Sequence, residues 1–465
     1  MRTDTIAAIA TAVSDSGIGI IRISGDDAIE IADSVYRSKD HKKKLTKVES
    51  HTIHYGFIYD GDELIDEVMV VVMKAPNTYT RENVVEIDCH GGILVMNKIL
   101  DTILKNGCRL AEPGEFTKRA FLSGRIDLSK AEAVMDIIHS KNEFALKSSI
   151  RQLKGAVSEK VRSLRDDILY EIAFIESALD DPEHISLEGY HERLEQKSIK
   201  ISGELKKLID SADNGKMLKD GINTVIVGKP NAGKSSLLNL LVGEDKAIVT
   251  SIAGTTRDVL EESIKLHGVG LNIIDTAGIR DTEDEVEKIG VDKARKYAEN
   301  ADLIIYVVDA SRELDENDEE IIKLIADKKV IVLLNKTDLE QIVTEEDIRQ
   351  KITCVSENEA VRIIRTSTKE NTGIDEFEQT IKELFFHGEI AVNDEIYITN
   401  QRHKEALMEA YDSMKLVLQS LEDNMPEDFY SIDLMSAYAS LGRIIGEEVG
   451  DDLVNEIFSK FCMGK

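Results

Sequence analysis

Gly228-Lys229-Pro230-Asn231-Ala232-Gly233-Lys234-Ser235-Ser236 sets two glycines, a lysine and two hydroxyls at the spacing G-x-x-x-x-G-K-S. The chemistry this suits is holding a phosphate chain. Gly228 and Gly233 let the backbone curl so that successive N–H groups, those of Asn231 to Ser236 among them, face phosphate oxygens. Lys234 brings charge to the terminal phosphates and Ser235 a hydroxyl to Mg²⁺, and a helix starting here adds its partial positive end. The flanks agree, since Thr224 to Val227 reads as a strand and Leu237 to Leu241 as a helix.

Four stretches follow in chain order. Gly254-Thr255-Thr256-Arg257-Asp258 offers a loop threonine to Mg²⁺ when a terminal phosphate is bound. Asp275-Thr276-Ala277-Gly278 closes the apolar run Leu271 to Ile274; Asp275 can reach Mg²⁺ and the Gly278 N–H the terminal phosphate. Asn335-Lys336-Thr337-Asp338 closes Val330 to Leu334, and the Asp338 carboxylate can accept from the N1–H and 2-amino group of guanine, donors that adenine lacks. Thr366-Ser367-Thr368-Lys369 follows Val361 to Ile364, where a backbone N–H can meet the guanine carbonyl. Together they describe a GTPase. Many such enzymes place glutamine after Asp-Thr-Ala-Gly to orient the attacking water; here stands Ile279, so catalytic help must come from elsewhere. The acidic segment Asp281 to Glu287 lies within loop reach, though on these residues alone a solvated helix start is the favoured account.

These loops need elements to hold them. Strands alternate with helices over 216–384, the pattern of an α/β domain with a mostly parallel sheet. Residues 1–119 mix short strands with one helix (Leu94 to Leu104), an α+β domain; its strands are expected at Gly17 to Gly25, Thr52 to Tyr59, Val68 to Met73 and Val84 to Ile87. Helical periodicity fills 120–215, with one apolar stripe from Ile150 to Ile175 on a single long helix stopped at Asp181-Pro182, and a second helix from about Leu187 to Ala212. It returns over 385–465, with stripes Leu407 to Leu421 and Leu434 to Ile457. The α/β domain is therefore expected to be inserted in a helical one.

The chain has 465 residues, a formal charge of −30 and no Trp. So acidic a protein is not built to coat nucleic acid, which needs clustered cations. A local patch remains compatible with one structured RNA, and Lys39-Asp40-His41-Lys42-Lys43-Lys44 is such a patch or, more simply, a solvated loop. Cys89, Cys108, Cys354 and Cys462 suggest neither a disulfide framework nor a zinc site. No membrane insertion is expected, and a reducing cytoplasm is the expected compartment.

The chain resembles the MnmE (TrmE) family of tRNA modification GTPases, within the wider TrmE-Era-EngA-like group. Carrying residues are Gly17 to Gly25 around Arg22, Pro113-Gly114-Glu115-Phe116-Thr117-Lys118-Arg119-Ala120-Phe121-Leu122, Pro230 to Asn239, Ala253 to Asp258, and the terminal Phe461-Cys462-Met463-Gly464-Lys465. The resemblance implies a folate-binding, dimerising N-terminal domain and a helical domain interrupted by the GTPase domain. It implies addition of a carboxymethylaminomethyl-type group at C5 of the wobble uridine of certain tRNAs. That chemistry draws a one-carbon unit from 5-formyl- or methylenetetrahydrofolate and works with a partner, MnmG (GidA), which carries the FAD. The assembly implied is a homodimer joined to MnmG in a heterotetramer or larger complex.

Hydrolysis in the family goes with K⁺-dependent pairing of GTPase domains. Carried over, Asn231, Thr250, Ile252 and Thr255 are K⁺ ligands within a loop that includes Ser251, Ala253 and Gly254, while Ser235 and Thr256 hold Mg²⁺. Glu287 matches the catalytic glutamate, which reverses the bland account of its segment. Arg22, Glu82, Arg125 and Lys465 match folate contacts, and Cys462 is linked to the modification chemistry. The chain departs from the family pattern at Arg81-Glu82-Asn83, where Gly-Glu-Asp is expected, and at Met463 in place of Ile. The rival reading is a ribosome-assembly or RNA-binding GTPase switch; such proteins usually carry a basic module after the GTPase domain, where this chain has an acidic helical block.

Overall fold

Alternate burial along short strands builds a seven-stranded sheet from the beginning of the chain. The computed structural model describes residues 4–140, 142–181, 183, 184, 186, 188–244, 261–266, 269–275, 301–325, 328–353, 361–386, 396–462 and 464. The strands are β1 (Ile6–Ile9), β2 (Ser16–Ser24), β3 (Tyr36–Arg37), β4 (Thr52–Asp60), β5 (Glu63–Met73), β6 (Val84–Gly91) and β7 (Arg109–Leu110), in the order β3-β4-β5-β6-β2-β1-β7. Neighbours are antiparallel except β1 and β7. Helices Ala28–Val35 and Ile93–Lys105 bury Ile29, Val35, Met96, Ile99 and Ile103 against Ile21, Ile23, Val70, Val72 and Ile87. β5 begins five residues before the expected Val68, because the turn at Gly61 keeps Tyr59 paired with Leu64 and draws polar residues into the ladder.

Chain contacts divide the protein into two units, one of Met1–Ile138, Arg151–Ser198 and Asp412–Lys465, the other of His139–Ile150 and Ile199–Tyr411. The apolar stripe from Ile150 to Ile175 is split between two helices, Glu143–Lys154 and Ala156–Asp180, and that from Leu434 to Ile457 between Glu427–Ile445 and Asp451–Ser459. The breaks fall at Gly155 and Gly446, both with positive φ. The second helix of the first block runs from Tyr190 to Asp220, through position 215. Among the described residues no helix is long and apolar enough to cross a membrane.

The second sheet holds β8 (Ile222–Val227), β9 (Glu261–Leu266), β10 (Val269–Asp275), β11 (Leu303–Asp309), β12 (Val330–Asn335) and β13 (Val361–Arg365), ordered β13-β12-β11-β8-β10-β9. Every pairing is parallel except β9 with β10. β11 and β12 are buried at every residue, which follows from apolar packing on both faces of the sheet. Strand order reverses at β8, which lies between β10 and β11, and a doubly wound sheet binds ligands beyond its strand ends at such a point.

Candidate functional site

The phosphate loop leaves β8 at that switch point and enters helix Lys234–Glu244. Asn231 has φ +61 and Gly233 φ +109, so the loop's curl depends on left-handed residues. Gly233 is irreplaceable on a second count, since a Cβ there would run into the side-chain amide of Asn335. Lys234 Nζ donates to the carbonyls of Gly228 (2.7 Å) and Lys229 (2.8 Å), which sets its ammonium across the loop mouth. Ser235 and Ser236 are exposed on the first helical turn.

Asn335 ties the stretches together. Its Nδ2 donates to the carbonyl of Ala232 in the phosphate loop (2.8 Å), and its Oδ1 accepts from the N–H of Thr368 (3.1 Å). Asp338 Oδ1 accepts from Ser367 Oγ at 2.8 Å, with Lys369 Nζ 3.9 Å from Oδ2, and Thr337 donates twice to the Thr366 carbonyl. Lys336, at φ +64, sets its ammonium 2.6 Å from Asp309 Oδ2. Burial alone would raise the Asp309 carboxyl, but hydrogen bonds from Lys336 and Ser311 outweigh it and hold the group below the usual carboxylate range. The sheet register sets Asp275, at the end of β10, beside Ile226 of β8. Thr250, Ser251, Ile252, Ala253, Gly254, Thr255, Thr256, Thr276, Ala277, Gly278, Ile279 and Glu287 lie outside the described residues, as does the Asp275 side chain.

Three residues outside the motifs, Asp315, Asp318 and Tyr306, brace the loop. Lys229 Nζ sits 2.6 Å from Asp318 and 3.0 Å from Asp315, and fully buried Tyr306 donates to the other Asp318 oxygen at 2.7 Å. This bridge anchors the start of the phosphate loop to helix Glu316–Ile325. The available signal was Tyr306, a lone polar group inside the apolar run Leu303 to Val308, which must find a partner when buried.

A second constellation forms in the other unit. Arg22 on β2 pairs with Glu86 on β6 (2.7 Å) and donates to the carbonyl of Gly464 (2.9 Å), with its guanidinium 5.7 Å from the Phe116 ring. Glu82 accepts from Ser24 (2.7 Å) and, through both oxygens, from Arg119 (3.0 and 3.2 Å). Arg119 in turn bonds Asp4 and Glu115, and Arg109 braces Glu115 at 2.6 Å. Arg125 lies 4.7 Å over the Tyr79 ring and donates to its carbonyl. Arg81, where glycine was expected, has φ +61, a conformation glycine adopts without strain, and its guanidinium bonds the Ser123 carbonyl.

The chain's last residues dock on the same unit, with Gly114 N–H donating to the Cys462 carbonyl at 3.3 Å. Cys462 is exposed, whereas burial pushes the Cys89 and Cys108 thiols up to about 12. A raised thiol is a poor nucleophile at neutral pH, so these two are structural. Met463 and Lys465 lie outside the described residues.

Comparison with known proteins adds to this geometry. A family model described as the MnmE helical domain matches residues 128–462, and one described as the GTP-binding protein TrmE N-terminus matches residues 5–125. A protein of Lachnoclostridium phytofermentans named tRNA modification GTPase MnmE is 58% identical over 465 residues, 100% of both chains. Its namesake in Acetivibrio thermocellus is 49% identical over 466 residues, again 100% of both. Among solved structures, Era of Aquifex aeolicus is 30% identical over 42% of this chain and 67% of its own, with a TM-score of 0.27.

Proposed function

The chain belongs to the MnmE family of tRNA modification GTPases, and from that premise we propose how its two constellations divide the work. It is a GTP-hydrolysing enzyme of tRNA modification. The observation that carries the reading is the Asn335 brace, which fixes the phosphate loop and the guanine-reading loops to each other at the switch point. In that frame the loop N–H groups and Lys234 hold the phosphates, Asp338 reads the guanine edge, and the Lys336 stem lies along the base.

Mg²⁺ is assigned to Ser235 and Thr256, and K⁺ to Asn231, Thr250, Ile252 and Thr255. Asn231 fits the second ion: it is exposed in the phosphate loop and carries a neutral amide oxygen, the kind of donor a monovalent cation takes. Such a cation, when bound, offsets charge developing between the phosphates. Ile279 cannot hydrogen-bond water, so Glu287 is assigned to orient the attacking water.

Arg22, Glu82, Arg125 and Lys465 are assigned to a tetrahydrofolate carrying the one-carbon unit. Forked donors and a carboxylate suit the pterin edge and the ligand's acidic tail, and Cys462 lies in the tail that docks on the same unit. The product is a carboxymethylaminomethyl-type group at C5 of the wobble uridine, made in the cytoplasm by a homodimer with its FAD-carrying partner MnmG. Glu82 depends on Arg119 for its aim, so Arg119→Gln is expected to weaken 5-formyltetrahydrofolate binding about tenfold, the worth of one charged hydrogen bond. GTP affinity is expected to hold. Calorimetric titration with both ligands checks this, and unchanged folate affinity would free Glu82 from Arg119.

The decisive experiment compares GTP hydrolysis in K⁺ and in Na⁺, with 5-formyltetrahydrofolate binding measured in parallel. A fall of at least about tenfold in Na⁺, equivalent to about 1.4 kcal/mol of transition-state stabilisation, is expected together with folate binding. Equal rates and no folate binding would overturn the proposal.

A further inference from the structure

In a chain with 88 acidic and 58 basic residues, exposed lysines ordinarily find carboxylates nearby. The segment 39–47 does the opposite. It carries Lys39, Lys42, Lys43, Lys44 and Lys47 against one acid, Asp40, and includes the only run of three consecutive lysines in the sequence. All five lysines are exposed. Only Lys44 has a carboxylate within ion-pair reach, Asp33 at 3.8 Å; none of the others is paired among the described residues.

The loop is nonetheless held in shape. Leu45 is fully buried in the core beneath the first sheet, and its N–H donates to Asp33 at 2.6 Å. Asp40 is consumed inside the loop: its Oδ1 accepts from Ser38 Oγ (2.7 Å) and from the Lys42 N–H (3.3 Å). Ser38 Oγ accepts in turn from the Lys43 N–H at 3.1 Å. The single local acid thus fixes the backbone, while four unpaired ammonium groups stand on an anchored lobe.

We propose that this lobe contacts the phosphate backbone of the tRNA, a reading that rests on tRNA being the substrate. A polyanion approaching a protein of charge −30 is repelled by most of its surface, so the place that receives it must be locally cationic. Lysines spaced along a fixed loop suit phosphates, which are met as point charges, and carry no base specificity.

The test uses the full-length protein and unfractionated tRNA, with binding followed by fluorescence anisotropy from about 50 to 200 mM KCl. One variant carries Lys39→Gln, Lys42→Gln and Lys43→Gln, three of the four unpaired lysines. A control carries Lys351→Gln, Lys415→Gln and Lys460→Gln, three lysines already paired to carboxylates elsewhere. The lobe variant is expected to bind at least about tenfold more weakly, with the slope of log K against log salt reduced by about two, at 0.7–0.9 per phosphate contact. Basal GTP hydrolysis is expected to be unchanged. Equal affinity and slope in the lobe variant and the unsubstituted protein would overturn the proposal. So would equal losses in the lobe and control variants, which would reveal a response to net charge alone. Absence of any tRNA binding by the unsubstituted protein would remove both the proposal and the reading beneath it.

Discussion

Asp338→Asn is expected to lower GTP affinity about 100- to 1,000-fold while leaving ATP excluded. In the proposed site the carboxylate accepts two hydrogen bonds from the guanine edge, and bonds to a charged partner are each worth about 1.5–3 kcal/mol. Orientation survives the change, because Ser367 donates to Oδ1 at 2.8 Å and an amide oxygen can keep that bond. The amide nitrogen then takes the place of Oδ2 and presents donors where guanine also presents donors. Xanthine carries a carbonyl at carbon 2, so xanthosine triphosphate is expected to bind the variant better than GTP does. Competition titrations with GTP, xanthosine triphosphate and ATP decide it. Unchanged preference for GTP would mean that Asp338 does not read the base.

That prediction was available from sequence; its supporting geometry was not. Asp338, Lys234 and Gly233 stand out because phosphate and guanine recognition demand those residue types at fixed spacings. The mostly parallel sheet was legible for a similar reason, since strands buried on both faces read as unbroken apolar runs such as Leu303 to Val308. What stayed hidden depends on register between distant segments. Nothing local to Asn335 announces that its amide reaches the Ala232 carbonyl 103 residues away. Nothing in Arg119 announces that it holds Glu82, 37 residues earlier. The helix breaks at Gly155 and Gly446 were missed because apolar spacing continues through them: the following helix buries its own face, so the stripe looks continuous. Arg81 shows the converse, a departure from glycine at a position whose φ of +61 still favours it.

Gly233→Ala is expected to abolish measurable GTP binding without unfolding the protein, because one methyl group damages the site in two ways. At φ +109 an alanine backbone is strained, at a cost of about 1–2 kcal/mol. Its Cβ also displaces the Asn335 amide, which is 1% exposed and cannot move to water. Asn335 would then leave the Ala232 carbonyl and the Thr368 N–H unpaired, at about 1–3 kcal/mol for each buried group. The loss in affinity is expected to exceed about 1,000-fold, since about 4 kcal/mol suffices for that factor. Gly203→Ala is the matched control. Gly203 lies in helix Tyr190–Asp220, a Cβ there meets no heavy atom within 4 Å, and the change is expected to be neutral or to stabilise by up to about 1 kcal/mol. The double variant Gly233→Ala, Asn335→Ala separates collision from brace. Removing the amide relieves the contact but leaves the two loops untied, so binding is expected to stay lost in isothermal titration. Recovery to near the unsubstituted affinity would make Asn335 a bystander and reduce the role of Gly233 to avoiding a clash.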